Sequence, residues 1–274
     1  ALCYLKLGHE QLAINVFEER LSKHPNCLNN VDRYAFALKM TDQYDKLRDL
    51  ALILLDRAPH LAETWIVSAI YEKNEQLSVQ LASRAVLLAP KHIMAHLILG
   101  HCRMSLNDFN GAIVDFRQAY QLNNMEIEAY RGMVLAMLAS NQYKMALAIG
   151  RESLQKMPKH PMSLTLVGLV LAQQKAGLVK AEKAFKKALS SNPRTYDAVC
   201  GLCDLLQKLK RYDEAIAVLK KALIYHRTPS TYTLMGDIYA VIPNIALAQE
   251  AYQKALSLRD DYAPAIIGMK KITE

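Results

Sequence analysis

The sequence predicts an all-α fold: one pair of antiparallel helices copied end to end into a right-handed superhelical solenoid. Three observations predict it. Small residues recur at a nearly fixed interval, with Ala85, Ala119, Ser153, Ala188, Ala222 and Ala255 standing 34, 34, 35, 34 and 33 residues apart. A second small set, Ala112, Ala146, Ala181, Ala215 and Ala248, runs seven residues ahead of the first. Prolines at Pro25, Pro59, Pro90, Pro158 and Pro193 return to one slot of the same period, where proline ends one helix and helps begin the next.

An interval of 34 residues is the tetratricopeptide (TPR) period. Each repeat is read as helix A, a short turn, helix B and a loop. Helix A carries a small residue where helix B crosses it (Ala35, Ala69, Gly100, Gly168, Cys203, Gly236), and helix B carries a larger one that fills the gap between hairpins (Phe17, Phe116, Phe185, Leu219, Tyr252). Large against small is how crossing helices reach interior density. The repeats then run 1–27 (truncated), 28–61, 62–92, 93–126, 127–160, 161–195, 196–228 and 229–261, with a capping helix from about Ala263. The chain thus reads as one continuous array over 1–274, about seven full repeats, and as a fragment of something longer. Two repeats are irregular. The third is short around Asn74 to Ser78, and the eighth has Pro243 in its internal turn.

Composition narrows the function. Apolar residues make up 52 % and charged residues 22 % of the chain, too much core material for a disordered protein. Only 10 of 274 residues are glycine, which leaves little for phosphate-cradling loops. The longest apolar stretch, Leu164 to Ala172, falls far short of the roughly 20 residues of a membrane span, so no membrane partner is expected. Five scattered cysteines suit a reducing compartment. No nucleophile, P-loop or His-Glu-x-x-His signature is present, and neither a catalytic site nor a cofactor is predicted.

A solenoid of this kind leaves a long surface free to hold other proteins. Its ligands are expected on helix A, at Met94, Leu97, His101 and Met104, then Glu128, Arg131, Leu135 and Leu138, then Met162, Thr165, Leu169 and Ala172. A Met- and Leu-rich set suits adaptable apolar contacts, unless the side chains pack within the coil. On the first reading, Leu97→Asp with Leu135→Asp spares the fold and weakens assembly.

The net charge of +8 is uneven: +7 of it lies between Lys175 and Arg227. This basic ridge (Lys183, Lys186, Lys187, Lys208, Lys210, Arg211, Lys220, Lys221) either meets an acidic partner or is a solvated outer face of helix B. Nucleic acid is disfavoured because no aromatic platform is interleaved with the charges. His92, His96 and His101 lack the remaining ligands of a metal site and read as packed or groove-lining residues. Cys200-Gly-Leu-Cys203 has redox-motif spacing but lies inside a predicted helix, and Cys203 fills the small-residue slot.

The residues between the signature positions carry a further signal. Tyr34-Ala-Phe-Ala-Leu-Lys-Met40 followed by Gln43-Tyr-Asp-Lys-Leu47, Trp65-Ile-Val-Ser-Ala-Ile-Tyr71, Leu138-Ala-Ser-Asn141, Leu164-Thr-Leu166, and Ala255-Leu-Ser-Leu258 before Gly268-Met269 resemble the subunit 7 family of the anaphase-promoting complex/cyclosome, in the same repeat order along nearly the whole chain. The resemblance implies a non-catalytic scaffold in a cell-cycle ubiquitin ligase, present in nucleus and cytoplasm. Its implied partners are the sibling TPR subunits. Homodimerisation would run through N-terminal repeats absent here, and the family's acidic tail is absent too. The alternative is a peptide-binding adaptor or a targeting arm, as in co-chaperones and glycosyltransferases.

Overall fold

The computed structural model describes residues 1–6, 9–24 and 27–273. Pro25 and the terminal Glu274 lie outside the described residues. Contacts divide the chain into two compact units, residues 1–157 and 158–274, and the helices pair into hairpins within each.

In the first unit, α1 (Leu2–Lys6) packs against α2 (Glu10–Lys23). Four hairpins follow: α3 (Val31–Met40) with α4 (Tyr44–Arg57), α5 (Ala62–Tyr71) with α6 (Glu75–Leu88), α7 (Ile93–Ser105) with α8 (Phe109–Leu122), and α9 (Ile127–Ala139) with α10 (Tyr143–Lys156). The second unit holds α11 (Pro161–Leu171) with α12 (Leu178–Ser191), α13 (Tyr196–Lys208) with α14 (Tyr212–Ala222), and α15 (Pro229–Val241) with α16 (Ile245–Leu258). Then α17 (Ala263–Thr273) packs on α15 and α16. The third repeat is shortened in the last turn of its A helix: α5 has 10 residues where α7 has 13, and Asn74 caps α6 by accepting from Leu77 N at 3.0 Å. The extra residue of the sixth repeat is absorbed by a 3-10 turn, Lys175–Gly177, which the period alone did not indicate.

The large-against-small alternation is tighter than the sequence suggested. Phe116 of α8 lies between two glycines: a Cβ on Gly100 of α7 would sit 2.8 Å from its ring, and one on Gly132 of α9 would sit 2.4 Å away. Phe185 is held the same way by Gly168 and Gly201, both at 2.7 Å, and Tyr252 by Gly236 and Gly268. One ring therefore fixes both the crossing inside its hairpin and the spacing to the next A helix. Bare backbone at these positions is what lets the ring lie flat between helices.

The loops between repeats are stapled by a side chain one helical turn into the next A helix. Trp65 Nε1 donates to Pro59 O (2.9 Å), His96 Nε2 to Pro90 O (2.8 Å) and Tyr130 Oη to Asn124 O (3.2 Å), each reaching back six residues. His96 thus holds the slot that an aromatic residue fills elsewhere, and the bond requires a proton on Nε2.

Turns inside hairpins share a left-handed residue after helix A: Asp42 (φ 56°), Asn107 (60°), Asn141 (60°) and Lys210 (57°). Asn and Asp tolerate this region because their short polar side chains bond locally. Pro243 occupies the same slot with φ 25°, far from the −65° that its ring prefers. Pro243→Asn is expected to raise stability by about 1 kcal/mol, read as a higher urea midpoint with an unchanged slope; a lower midpoint would show that the turn does not need the left-handed region.

Candidate protein-interaction surfaces

The A helices of the first unit meet along a polar seam near their N-terminal ends. Asp32, on the first turn of α3 and only 3 % exposed, faces His92 at the start of α7 (Nε2 to Oδ2, 3.7 Å). His92 also lies 3.8 Å from Glu63 of α5. Beside them Arg33 reaches Glu126 at the start of α9, Nη2 donating to Oε2 at 3.1 Å. Burial raises the Asp32 carboxyl above its usual range, and the His92 charge opposes that rise. The seam ties the second repeat to the fourth and fifth.

Further along the same helices a cavity of about 490 Å³ opens between α3, α5, α7 and α9, and Phe36, Met40, Ile98, His101, Met104 and Arg131 are among its walls. The His101 ring stacks edge-on against Phe116, centroids 5.1 Å apart. Burial pushes its pKa down to about 3, and the charges of Arg131 and Lys39 push the same way. The imidazole is therefore neutral at any physiological pH. Met40, which the sequence did not single out, is 54 % exposed at the cavity's edge.

This geometry divides the expected partner-contacting residues. His101, Met104 and Arg131 line the cavity, and Leu135 and Leu138 are half-buried on α9. Met94 and Leu97 do not line it. They are 3 % and 2 % exposed, covered because α7 packs directly against both α5 and α9. Leu97→Asp would consequently break the core and not spare the fold. In the second unit Thr165 is fully buried, its Oγ1 donating to Pro161 O at 3.0 Å, and it too is a packing residue. Leu169 is half-buried with its side chain against Gly201.

Behind the cavity wall, Arg103 of α7 lies 3.0 Å from Asp115 of α8 and donates to Gly111 O at 3.2 Å. Asp115 is 6 % exposed, and burial pushes its pKa up to about 6 against the opposing charges of Arg103 and His96.

The basic ridge lies on α12, the end of α13 and α14. Its charges are unequal in kind. Arg211 pairs with Glu182 (2.8 Å) and Glu214 (2.6 Å), and Lys186 pairs with Glu182 (2.6 Å). Lys183, Lys187, Lys208, Lys210, Lys220 and Lys221 are exposed. Lys220 and Lys221 stand in the last turn of α14, where the helix dipole favours cations.

The remaining candidate chemistries dissolve into packing. His92, His96 and His101 face three different environments, and among the described residues no group of three His, Cys, Asp or Glu side chains is arranged for a metal. Burial raises the thiols of Cys200 and Cys203 to about 11 and about 12, the opposite of an activated redox pair.

Hairpins of this length, period and packing define the class: the chain is a helical TPR solenoid, and the tetratricopeptide-repeat family matches residues 95–124 and 178–238. Among characterised proteins it is similar to anaphase-promoting complex subunit 7 along nearly all of its length. It is 25 % identical to the human protein over 98 % of this chain and 48 % of that one. To the Dictyostelium discoideum protein it is 28 % identical over 99 % of this chain and 48 % of that one. The chain thus spans about half the length of the curated relatives it matches. A crystal structure described as the APC/C hetero-tetramer Cut9-Hcn1 superposes with a TM-score of 0.71, covering 99 % of this chain and 54 % of that one at 20 % identity, which supports the fold.

Proposed function

We propose that the chain is part of a subunit-7-type scaffold of the anaphase-promoting complex/cyclosome, a cell-cycle ubiquitin ligase. In this reading it is non-catalytic, contacts sibling TPR subunits and works in nucleus and cytoplasm. The observation that carries it is the similarity to subunit 7 over 98 % of the chain. A generic TPR likeness would follow the period and not the residues between. The Met-lined cavity of the first unit and its exposed rim residue Met40 are the apolar surface that such contacts would use.

The tagged protein, recovered from a mitotic extract of its own cells, is expected to bring down the other large TPR subunits of the complex. Recovery of chaperones or of a linked glycosyltransferase in their place would favour a peptide adaptor or targeting arm. The cavity is tested by Met40→Asp with Met104→Asp. Helicity and melting temperature are expected to stay near the parent values, because neither side chain belongs to the buried core. Sibling recovery is expected to fall, since carboxylates would have to be desolvated against an apolar partner. Unchanged recovery would move the contact away from this cavity.

A further inference from the structure

Two successive junctions in the second unit are built from the same slots and filled differently. At the first, between α12 and the α13–α14 turn, charges close the gap. Arg211 reaches back to Glu182 on α12 and forward to Glu214, and Glu182 also takes Lys186. Aligning Ala181 with Ala215 and then with Ala248 carries this set one repeat on: Glu182 becomes Ile216, Arg211 becomes Asn244, Glu214 becomes Leu247, and Lys186 becomes Lys220. Only the lysine survives. Asn244 turns inward on its own helix, accepting from Leu247 N at 3.3 Å, and caps α16 without crossing the junction.

The consequence is an open notch of about 380 Å³ between α14 and the α15–α16 turn, walled by Ile216, Tyr239, Ile242 and Leu247 with Asp213 and Lys220 at its edge. A volume of this size falls in the range of clefts that hold ligand groups. Leu247 is 38 % exposed. Among the described residues Lys220 has no ion pair to match that of Lys186 with Glu182, and Lys221 adds a second exposed charge beside it.

We propose that this notch docks an acidic helical segment of a partner protein, which inserts an apolar side chain between α14 and α16 and presents a carboxylate to Lys220. The partner thereby supplies what Glu182 supplies within the chain at the preceding junction. Each feature selects for that occupant. The apolar walls favour a large aliphatic or aromatic side chain over water. Lys220 rewards a carboxylate one helical turn from that anchor, because Lys220 itself stands one turn beyond Ile216 on α14. Asp213 stands about two helical turns before Lys220 on α14, so the carboxylate is taken at the Lys220 end of the notch, and Tyr239, 8 % exposed, offers no face for base stacking. The recognition goes beyond membership of any particular assembly, and it stands on this junction alone.

The test uses the chain labelled at isoleucine and leucine methyls and two synthetic helical peptides, one with Glu and Leu four residues apart and one with Gln in place of each Glu. The acidic peptide is expected to shift the Ile216, Ile242 and Leu247 methyls and to bind more weakly as salt rises; Lys220→Glu and the Gln peptide should each weaken binding by about tenfold. Ile216→Glu with Asn244→Arg rebuilds the closed junction. Ile216 is 8 % exposed, so the new carboxylate depends on the introduced arginine for its partner, and the folded variant is expected to lose the peptide. Lys220→Gln, a change at an exposed position, keeps the test valid if the double variant fails to fold, and it should weaken the acidic peptide alone. Equal binding of the two peptides, retention by the rebuilt junction, or no methyl shift with the acidic peptide would each overturn the proposal.

Discussion

Phe116→Ala is expected to cost about 3–5 kcal/mol, the range for emptying a buried aromatic site, and to speed amide exchange throughout α7, α8 and α9. The ring is fully buried between the backbones at Gly100 and Gly132, with the His101 imidazole edge-on against it. Neither glycine has a side chain that could swing into the vacated space. Filling the cavity would require the His101 ring to turn or α7 or α9 to move, and α7 is held by its contacts with α5 and α9. The converse substitution is also expected to destabilise: Gly132→Leu drives a side chain into a ring already within 2.5 Å of its Cβ position, and overpacking costs about 1–3 kcal/mol. Urea unfolding followed by far-UV circular dichroism reads both. If Phe116→Ala unfolds at the parent midpoint, the ring does not set the spacing between hairpins.

The hairpin boundaries and the crossing residues were legible because the repeat states them many times over. Once Ala181 and Ala215 fix the register, every slot is read from several copies, and the last helix, α17, begins at Ala263. Gly132, Gly201 and Gly268 could have been found the same way. A glycine in a helix interior costs about 1 kcal/mol against alanine, so three of them in matching A-helix positions signal a backbone pressed against something large. The residues filling the ring slots, Phe116, Phe185 and Tyr252, were already in hand.

The candidate surface was only half legible. Helical spacing gives the direction in which Met94, Leu97 and Thr165 point, but how closely the next A helix approaches is a tertiary quantity, and that approach buries all three. The seam was invisible for a related reason: Arg33 and Glu126 are 93 residues apart and belong to non-adjacent repeats, so no local pattern pairs them. On the ridge, the Lys186–Glu182 pair follows from its i, i+4 spacing. The cross-junction reach of Arg211 to Glu182, and with it the difference between the closed junction and the open notch, needed coordinates.

Arg103→Met should make the protein's stability depend strongly on pH. Removing one partner of a buried ion pair costs about 3–5 kcal/mol because the other charge is left without compensation, and Asp115 is 6 % exposed beside Arg103. Its pKa in the folded protein is about 6, raised from an ordinary 3.8 chiefly by burial. The folded state therefore binds this proton more tightly than the unfolded chain does, and the stability it contributes is complete below about pH 4 and lost as pH rises through about 6. In the parent, stability should fall across that window and then level off as far as this group is concerned. Without Arg103 the opposing positive charge is gone, the carboxyl titrates higher still, and the loss extends further toward alkaline pH. The variant is thus expected to be strongly destabilised near pH 8 and to recover much of the deficit near pH 5. Arg103 also donates to Gly111 O, and that part of the cost should not vary with pH. Adding Asp115→Asn to Arg103→Met separates the two contributions: it should restore the pH-dependent share at pH 8 and leave the rest. Urea midpoints for parent, single and double variants across the range would decide it, and a deficit of the same size at pH 5 and pH 8 would show that the buried carboxylate is not its source.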